Sequence, residues 1–135
     1  MERTIGLLTD VKDLSDLLQG ARLDQVQVTP MGGILQLAVG LTRAMLEQQQ
    51  VVRSGFLRRL KTPWTKCELR FARVKVLTIT RVTDQAPDHA PLLACDAISG
   101  GYQLTVQAPD GLQLTLGMDQ LDGRFADLGN PIENP

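Results

Sequence analysis

Residues that build active sites and metal centres are scarce in this chain. Its 135 residues include one histidine, two cysteines and five aromatic residues. A zinc site needs three or four Cys, His or carboxylate ligands, and a catalytic triad needs a nucleophile, a base and an orienting group. Cys67 and Cys95 have no CxxC spacing, and His89 stands beside Asp88 in a proline-flanked loop. We therefore expect no catalytic residue, no metal site and no cofactor, and we predict that the protein is not an enzyme.

Phosphate-binding motifs and long apolar runs are also missing. Neither GxxxxGK[ST] nor GxGxxG occurs, so the loops that cradle phosphates are not predicted. No stretch approaches the ~18 apolar residues that span a bilayer, and the first ten residues, MERTIGLLTD, do not resemble a signal peptide. We expect a cytoplasmic protein without a membrane span, with reduced thiols that lie in the core.

Three carboxylates near the end of the chain are candidate ligands for a hard cation. Asp119, Asp122 and Asp127 lack the alternating DxDxDG spacing of a calcium loop. Surface charge is therefore the better interpretation of these residues.

The overall composition is typical of one globular domain. The hydrophobic fraction is 43% and the charged fraction 21%, both ordinary values. A chain of this length buries roughly two-thirds of its unfolded surface without needing a disulfide or a metal. We predict a single domain over 1–135, with 129–135 as a frayed tail.

Alternating apolar and polar residues predict a mainly antiparallel β fold. The turn sequences TPMGG, SGG and APDG separate the strands, and the alternation slips near Ala72 and Arg73 as a β-bulge would make it. For 118–128 a short strand and a loose helical turn both stay open. We expect a sandwich or curved sheet of six or seven strands, including 22–29, 34–42, 66–82, 92–98, 102–107 and 112–116.

Two helices are predicted beside the strands. The first covers 9–20, with Thr9 or Asp10 as its cap and Gly20 after its end. The second covers 43–60, because Met45, Val52, Phe56 and Leu60 fall on one helical stripe. The alternative for 43–60 is a long strand that continues past Thr42 into a mobile loop.

Positive charge is concentrated in the middle of a chain whose net charge is −1. Segment 53–75 holds eight of the fourteen cations, whereas the chain from Asp84 onward holds eight carboxylates and only Arg124 as a cation. Such asymmetry can indicate a partner site. The alternative is that the two regions face each other in the fold.

The most basic stretch, RSGFLRRLKTPWTK, supplies the candidate partner-binding residues. They are Arg58, Arg59, Lys61, Trp64 and Lys66. The cations could contact phosphates while Phe56 and Trp64 stack on bases, although the spacing matches no nucleic-acid motif. The alternative places Phe56 in the core, Trp64 at its edge and the cations in solvent.

Three segments resemble the layout of a known class of domain. They are ARLDQVQVTPMGGILQLAV, LRFARVKVLTI and GYQLTVQAPDGLQLTLGMDQLDGRF. Together they resemble small β-rich immunity-type domains of bacterial toxin systems, over about 21–125. The resemblance implies a protein partner but carries over no functional residue, and 43–66 has no counterpart in it.

Three functions follow as hypotheses. The first is a non-enzymatic protein-interaction module, of which an immunity-type role is one instance. The second is binding of nucleic acid or another anionic surface through 53–75, which the net charge of −1 disfavours. The third is an enzyme or small-ligand binder whose site gathers residues distant in sequence, such as His89 with an aspartate or Tyr102.

Overall fold

The computed structural model describes residues 1–45, 47, 50–55, 57–81, 92–108 and 111–129. In chain order its elements are β1 (Glu2–Ile5), α1 (Leu8–Leu17), β2 (Arg22–Met31), β3 (Ile34–Ala44), β4 (Gln50–Ser54), β5 (Leu57–Lys61), β6 (Trp64–Val74), β7 (Val76–Arg81), β8 (Leu93–Ile98), β9 (Gly101–Gln107), β10 (Leu112–Met118) and β11 (Gly123–Asp127). The predicted loop with Asp88 and His89, and all but Gly129 of the predicted tail, lie outside these residues. In the described part of the chain, no helix has the length and apolar character needed to cross a membrane.

The strands form two antiparallel sheets and a separate hairpin. The larger sheet has the order β1-β11-β6-β3-β2, the smaller one the order β7-β10-β9-β8, and β4 pairs with β5. The mainly antiparallel β prediction is confirmed, but the two sheets contain nine strands rather than six or seven. The count was too low because β1 was not predicted and because segment 66–82 divides near Lys75 into β6 and β7, which belong to different sheets.

One core joins both sheets and the helix. Successive side chains of a strand point to opposite faces, and each sheet buries one face. The buried residues include Leu37, Val39, Leu41, Leu69, Phe71 and Phe125 from the larger sheet, Leu104, Val106, Leu114 and Leu116 from the smaller, and Val11, Leu14 and Leu18 from the helical region.

The predicted first helix is confirmed, and it runs over Leu8–Leu17. The cap position is Leu7 and not the predicted Thr9 or Asp10, which lie in the first turn, and Leu7 has no side-chain oxygen to offer. Instead Asp10 Oδ2 accepts hydrogen bonds from the backbone N–H of Leu7, at 2.9 Å, and of Gly6, at 3.0 Å. Asp10 therefore caps the helix from its first turn, as the acidic member of a capping box does. Gly20 adopts the expected left-handed conformation, with φ 78°.

The predicted hairpin of β2 and β3 is longer than expected. Its turn is Gly32–Gly33, with φ values of 58° and 86°, which suit a two-residue type I′ turn. Pro30, assigned to the turn by its sequence, lies in β2 instead. An edge strand tolerates proline because the missing N–H faces away from the ladder.

The predicted middle helix over 43–60 is wrong. β3 continues through Arg43 and Ala44, so the alternative of a longer strand is correct for these two residues. β4 and β5 then form a hairpin, and Gly55, with φ 63°, follows the terminal pair Ser54–Leu57. The glycine that weakened the helical interpretation is thus a turn residue. The apolar stripe was misleading because a few spaced apolar residues fit both periods.

The predicted bulge near Ala72 and Arg73 is confirmed. Leu35 pairs with Val74 and Leu37 with Phe71, so two residues of β6 oppose one of β3. Arg73 has φ 59°, which places it in the left-handed region that non-glycine residues seldom occupy. The bulge comes just before the chain leaves the larger sheet. Of the two alternatives for 118–128, the strand is correct, as β11.

Candidate functional site

The predicted partner-binding residues fall into two groups. Arg58, Arg59 and Lys61 belong to β5, where Arg58 is paired with Arg53 across the hairpin; the hairpin side chains are outside the described part of the structure. Trp64 and Lys66 belong to β6, in the larger sheet. Only the second group can therefore be related to a surface.

Trp64 and Lys66 share the outward face of β6 with Glu68 and Arg70, since alternate side chains of a strand share a face. Trp64 is half-buried, and Lys66 is exposed with its Nζ 3.9 Å from Asp24 Oδ2. The buried residues of β6 lie between them, on the core side. The structure thus brings two predicted residues onto one exposed surface.

We call this surface the open face. It consists of the outward side chains of the larger sheet, most of them exposed or half-buried: Glu2, Thr4, Arg22, Gln25, Gln27, Thr29, Gln36, Ala38, Gly40, Thr42, Ala44, Trp64, Lys66, Glu68, Arg70, Ala72, Arg124 and Ala126. The outward rows of the smaller sheet differ, because Thr78, Thr115 and Thr105 lie side by side next to Thr80, Gln113 and Gln107. Asp96, beside Gln103, is the one charged residue in the described outward rows of the smaller sheet, so most of the charge on the two outward faces belongs to the open face.

Two arginines stand at the centre of the open face. The register of β6 and β11 places Arg70 directly opposite Arg124, and directly opposed like charges destabilise a sheet. Arg70 Nε donates a hydrogen bond to Glu68 Oε1, and 70% of the Arg70 side chain is exposed. In the described part of the chain no carboxylate forms an ion pair with Arg124.

A hollow lies on each side of this arginine pair. The first, of about 330 Å³, is bounded by uncharged Gln27, Thr29 and Gln36 and by Asp122. The second, of about 550 Å³, is bounded by Glu2, Arg3, Thr4, Glu68 and Ala126. Both hollows are shallow, and small residues lie between longer side chains in each: Ala38 and Ala72 in the first, Ala126 in the second.

The end of basic segment 53–75 is paired with acidic residues from later in the chain. Arg73 Nε lies 3.6 Å from Asp122 Oδ2, and Lys75 Nζ lies 2.5 Å from Asp119 Oδ2. For these residues, the alternative that the basic and acidic regions face each other is correct. The same pairs account for Asp119 and Asp122, and the described residues contain no group of three potential metal ligands.

The sequence interpretation missed a buried arginine. Arg43 lies on the core side of β3 with 0% exposure. Its Nε and Nη2 each donate to one oxygen of Asp127 at 2.9 Å, and its Nη2 and Nη1 donate to Glu47 Oε1 and Oε2 at 2.8 and 3.2 Å. The sequence pattern could have identified it, because Arg43 continues the alternating inward series Leu37, Val39 and Leu41. The prediction of a helix from residue 43 onward ended that series at Leu41.

The electrostatics of this buried cluster are those of a closed structural contact. Burial would raise the pKa of Asp127, but the hydrogen bonds and charge of Arg43 outweigh it, so this pKa lies below its ordinary value. Hydrogen bonding to Arg43 also lowers the pKa of Glu47. Across the strand pair from Asp127, burial and the charge of Asp127 raise the pKa of Cys67 to about 12. Four of the five guanidinium N–H donors of Arg43 are thus used by two carboxylates of the chain itself.

The second cysteine borders a third hollow. A cleft of about 460 Å³ between α1 and β8 is lined by Leu8, Val11, Leu93 and Cys95, among others. Cys95 is half-buried against the core, whereas Cys67 is fully buried, so the expected core position is complete only for Cys67. Burial, with the charge of Asp96, raises the pKa of Cys95, which makes it a poor thiolate nucleophile.

Comparisons with protein-family models, with curated proteins and with solved structures find no match to this chain. The resemblance to immunity-type domains therefore stays a prediction.

Proposed function

We propose that the protein is a non-enzymatic binding module that recognises an acidic surface of another protein through its open face. The observation that carries this proposal is the exposed pair Arg70–Arg124, whose second member has no carboxylate partner in the described part of the chain. An uncompensated cationic centre on a folded surface is the complement of an acidic patch. An immunity-type role is one instance of such a module.

The residue types on the open face support a protein partner. Tryptophan and arginine are enriched in protein interfaces and dominate their binding energy. Trp64, half-buried at one end of the face, offers a rigid apolar contact. The arginine pair offers charged hydrogen bonds from Arg70, further along the same strand, and from Arg124 on the neighbouring strand β11. The shallow hollows suit side chains of a partner better than a fully enclosed metabolite.

Most charged residues of the open face are paired with another residue of the fold. Asp24 is occupied by Arg22, by the Thr42 hydroxyl at 2.5 Å and by Lys66, and Glu68 is occupied by Arg70. Arg124 is left with its positive charge available. Binding should therefore be steered by charge and should weaken as salt screens it.

Nucleic acid is a less favoured partner. Glu2 and Glu68 lie on the same face as the arginine pair and would repel a run of phosphates. Arg73 and Lys75, which the nucleic-acid hypothesis counts as phosphate ligands, are engaged by Asp122 and Asp119. These two observations favour a protein partner, which can match alternating charges.

The test is capture from a lysate of the producing cells, followed by affinity measurement on the isolated partner. The variant Trp64→Ser/Arg124→Glu changes the open face, and Lys12→Glu reverses a charge on the exposed side of α1 as the control. We expect the wild type and Lys12→Glu to bind one protein with equal affinity, and the open-face variant to bind it at least roughly tenfold more weakly. Equal binding by all three proteins, or loss of capture only after nuclease treatment, would contradict the proposal.

A further inference from the structure

We infer that Arg70 and Arg124 together form a site for one carboxylate group, which an Asp or Glu side chain of the partner inserts into the hollow bounded by Gln27, Thr29 and Gln36. This inference rests on the proposed function and names the chemistry at its centre. We call this hollow the glutamine hollow.

The free donors of the two guanidinium groups support the site. Arg70 uses its Nε for Glu68 and has no other hydrogen bond among the described residues, so both of its terminal nitrogens can donate. Arg124 donates no hydrogen bond to a described residue, so all of its guanidinium N–H groups can donate. Two forks side by side suit the planar, bidentate geometry of a carboxylate.

The surroundings decide on which side of the arginine pair the carboxylate binds. On the side of Glu2 and Glu68, two carboxylates of the protein border the hollow together with the cation Arg3. On the other side, the amides of Gln27 and Gln36 and the hydroxyl of Thr29 are uncharged groups that can donate hydrogen bonds. The glutamine hollow has a single acid, Asp122, which Arg73 already engages, so it is the less repulsive side for an anion.

Counting charges favours a monoanion. Arg70 is matched by Glu68, and Asp122, the one acid of the glutamine hollow, is matched by Arg73. One positive charge, that of Arg124, then remains. A carboxylate neutralises it, whereas a phosphate dianion would add negative charge near Asp122 and Glu68.

Binding would also remove an unfavourable contact. The two opposed arginines repel each other in the free sheet. A carboxylate bound between the two guanidinium groups would attract both of them and offset their mutual repulsion. The pair is thus better satisfied in the complex than alone.

The test uses NMR signals of the arginine Nε–H groups in the full-length protein. The probe is N-acetyl-glutamate methylamide, which carries one side-chain carboxylate, and the neutral control is N-acetyl-glutamine methylamide. We expect the Arg70 and Arg124 signals, and the side-chain amide signals of Gln27 and Gln36, to shift and saturate with the glutamate probe on the order of 10 mM. The glutamine probe should cause no saturating shift.

Three variants separate the site from general charge effects. Arg124→Gln should abolish saturation, Arg124→Lys should weaken it severalfold because the fork is lost, and Lys12→Gln should leave it unchanged. A wild-type amide fingerprint in each variant establishes folding. Tighter binding of inorganic phosphate than of the glutamate probe, or equal binding by Arg124→Gln, overturns the inference.

The titration distinguishes this inference from the proposed function. It reads the arginine signals directly and requires no partner. If the partner complex is weakened by Trp64→Ser but not by Arg124→Gln, the open face binds the partner and the carboxylate site is refuted. If the probe saturates the arginines while no open-face variant affects a partner, the site stands without the protein-binding function.

Discussion

The larger sheet carries two groups of arginine residues, and their environments are opposite. Arg43 points into the core and makes four hydrogen bonds to Asp127 and Glu47. Arg70 and Arg124 point to solvent and stand opposite each other; Glu68 pairs with Arg70, and Arg124 has no carboxylate partner among the described residues. The positive charge of the first group is matched by carboxylates of the chain, and that of the second is matched only in part.

The difference follows from the cost of desolvation. A charge removed from water must be matched within the fold, because an uncompensated buried charge costs several kcal/mol. An exposed charge keeps its hydration and can remain unmatched at little cost. An excess of charge available for a partner can therefore persist only on a surface such as the open face.

The largest effect expected from this comparison is the loss of Arg43. Arg43→Ala removes both hydrogen bonds of the guanidinium to Asp127, whose side chain is only 10% exposed, and leaves it the Met1 amino group at 3.6 Å. We expect the free energy of unfolding to fall by about 3–5 kcal/mol. Urea denaturation measures this change, and faster labelling of Cys67 by a thiol reagent reports the opened cluster. The double variant Arg43→Met/Asp127→Leu should recover most of the loss; a loss below about 1 kcal/mol in the single variant contradicts a structural role.

A smaller effect concerns pH. The pKa values of Asp127 and Glu47 are lowered in the folded protein, so their contribution to stability is present above their ordinary values of 3.8 and 4.5. It is lost as the pH falls through the lowered, folded values. Acid titration of the urea midpoint should show this loss in the wild type and a reduced slope in Asp127→Asn. If the urea midpoint of both proteins changes with pH at the same slope, Asp127 does not cause the loss of stability in acid.

The open face should respond with the opposite sign. Arg124→Gln removes the repulsion of Arg70, and we expect the free energy of unfolding to rise by roughly 0.2–1 kcal/mol. The gain should shrink with added salt, because salt screens exposed charges. Thermal unfolding at low and high salt measures it, and a clear destabilisation by Arg124→Gln would place this arginine with Arg43 as a structural residue.

The smallest effect is expected at the exposed pair Lys75–Asp119. Both side chains are more than half exposed, at 55% and 58%, and such pairs contribute about 0–1 kcal/mol. Lys75→Ala should lower the melting temperature only slightly. The decrease should be no larger than the decrease that Asp119→Ala causes. A large drop would mean that the junction of β6 and β7 depends on this contact.

Local patterns account for the parts of the fold that were predicted correctly. Helix α1, the β2–β3 hairpin, the bulge at Ala72–Arg73 and the turn at Gly111, with φ 96°, each depend on residues close in sequence. The prediction failed at 43–60, where β3 and the β4–β5 hairpin replace a helix, because their strand partners determine the conformation there. Of the candidate site, Trp64 and Lys66 were identified, but Arg70 and Arg124 were counted only as charges.

The sequence by itself determined the mainly β class, the inward and outward alternation of most strands and the absence of recognisable active-site motifs. These features depend on neighbouring residues, whose periodicity and turn chemistry act locally. Only the tertiary structure decided that Arg43 is buried against Asp127, and that Arg70 meets Arg124 on an exposed surface. Both contacts depend on which strands pair and in which register, and a shift of one residue would move every side chain of a strand to the other face.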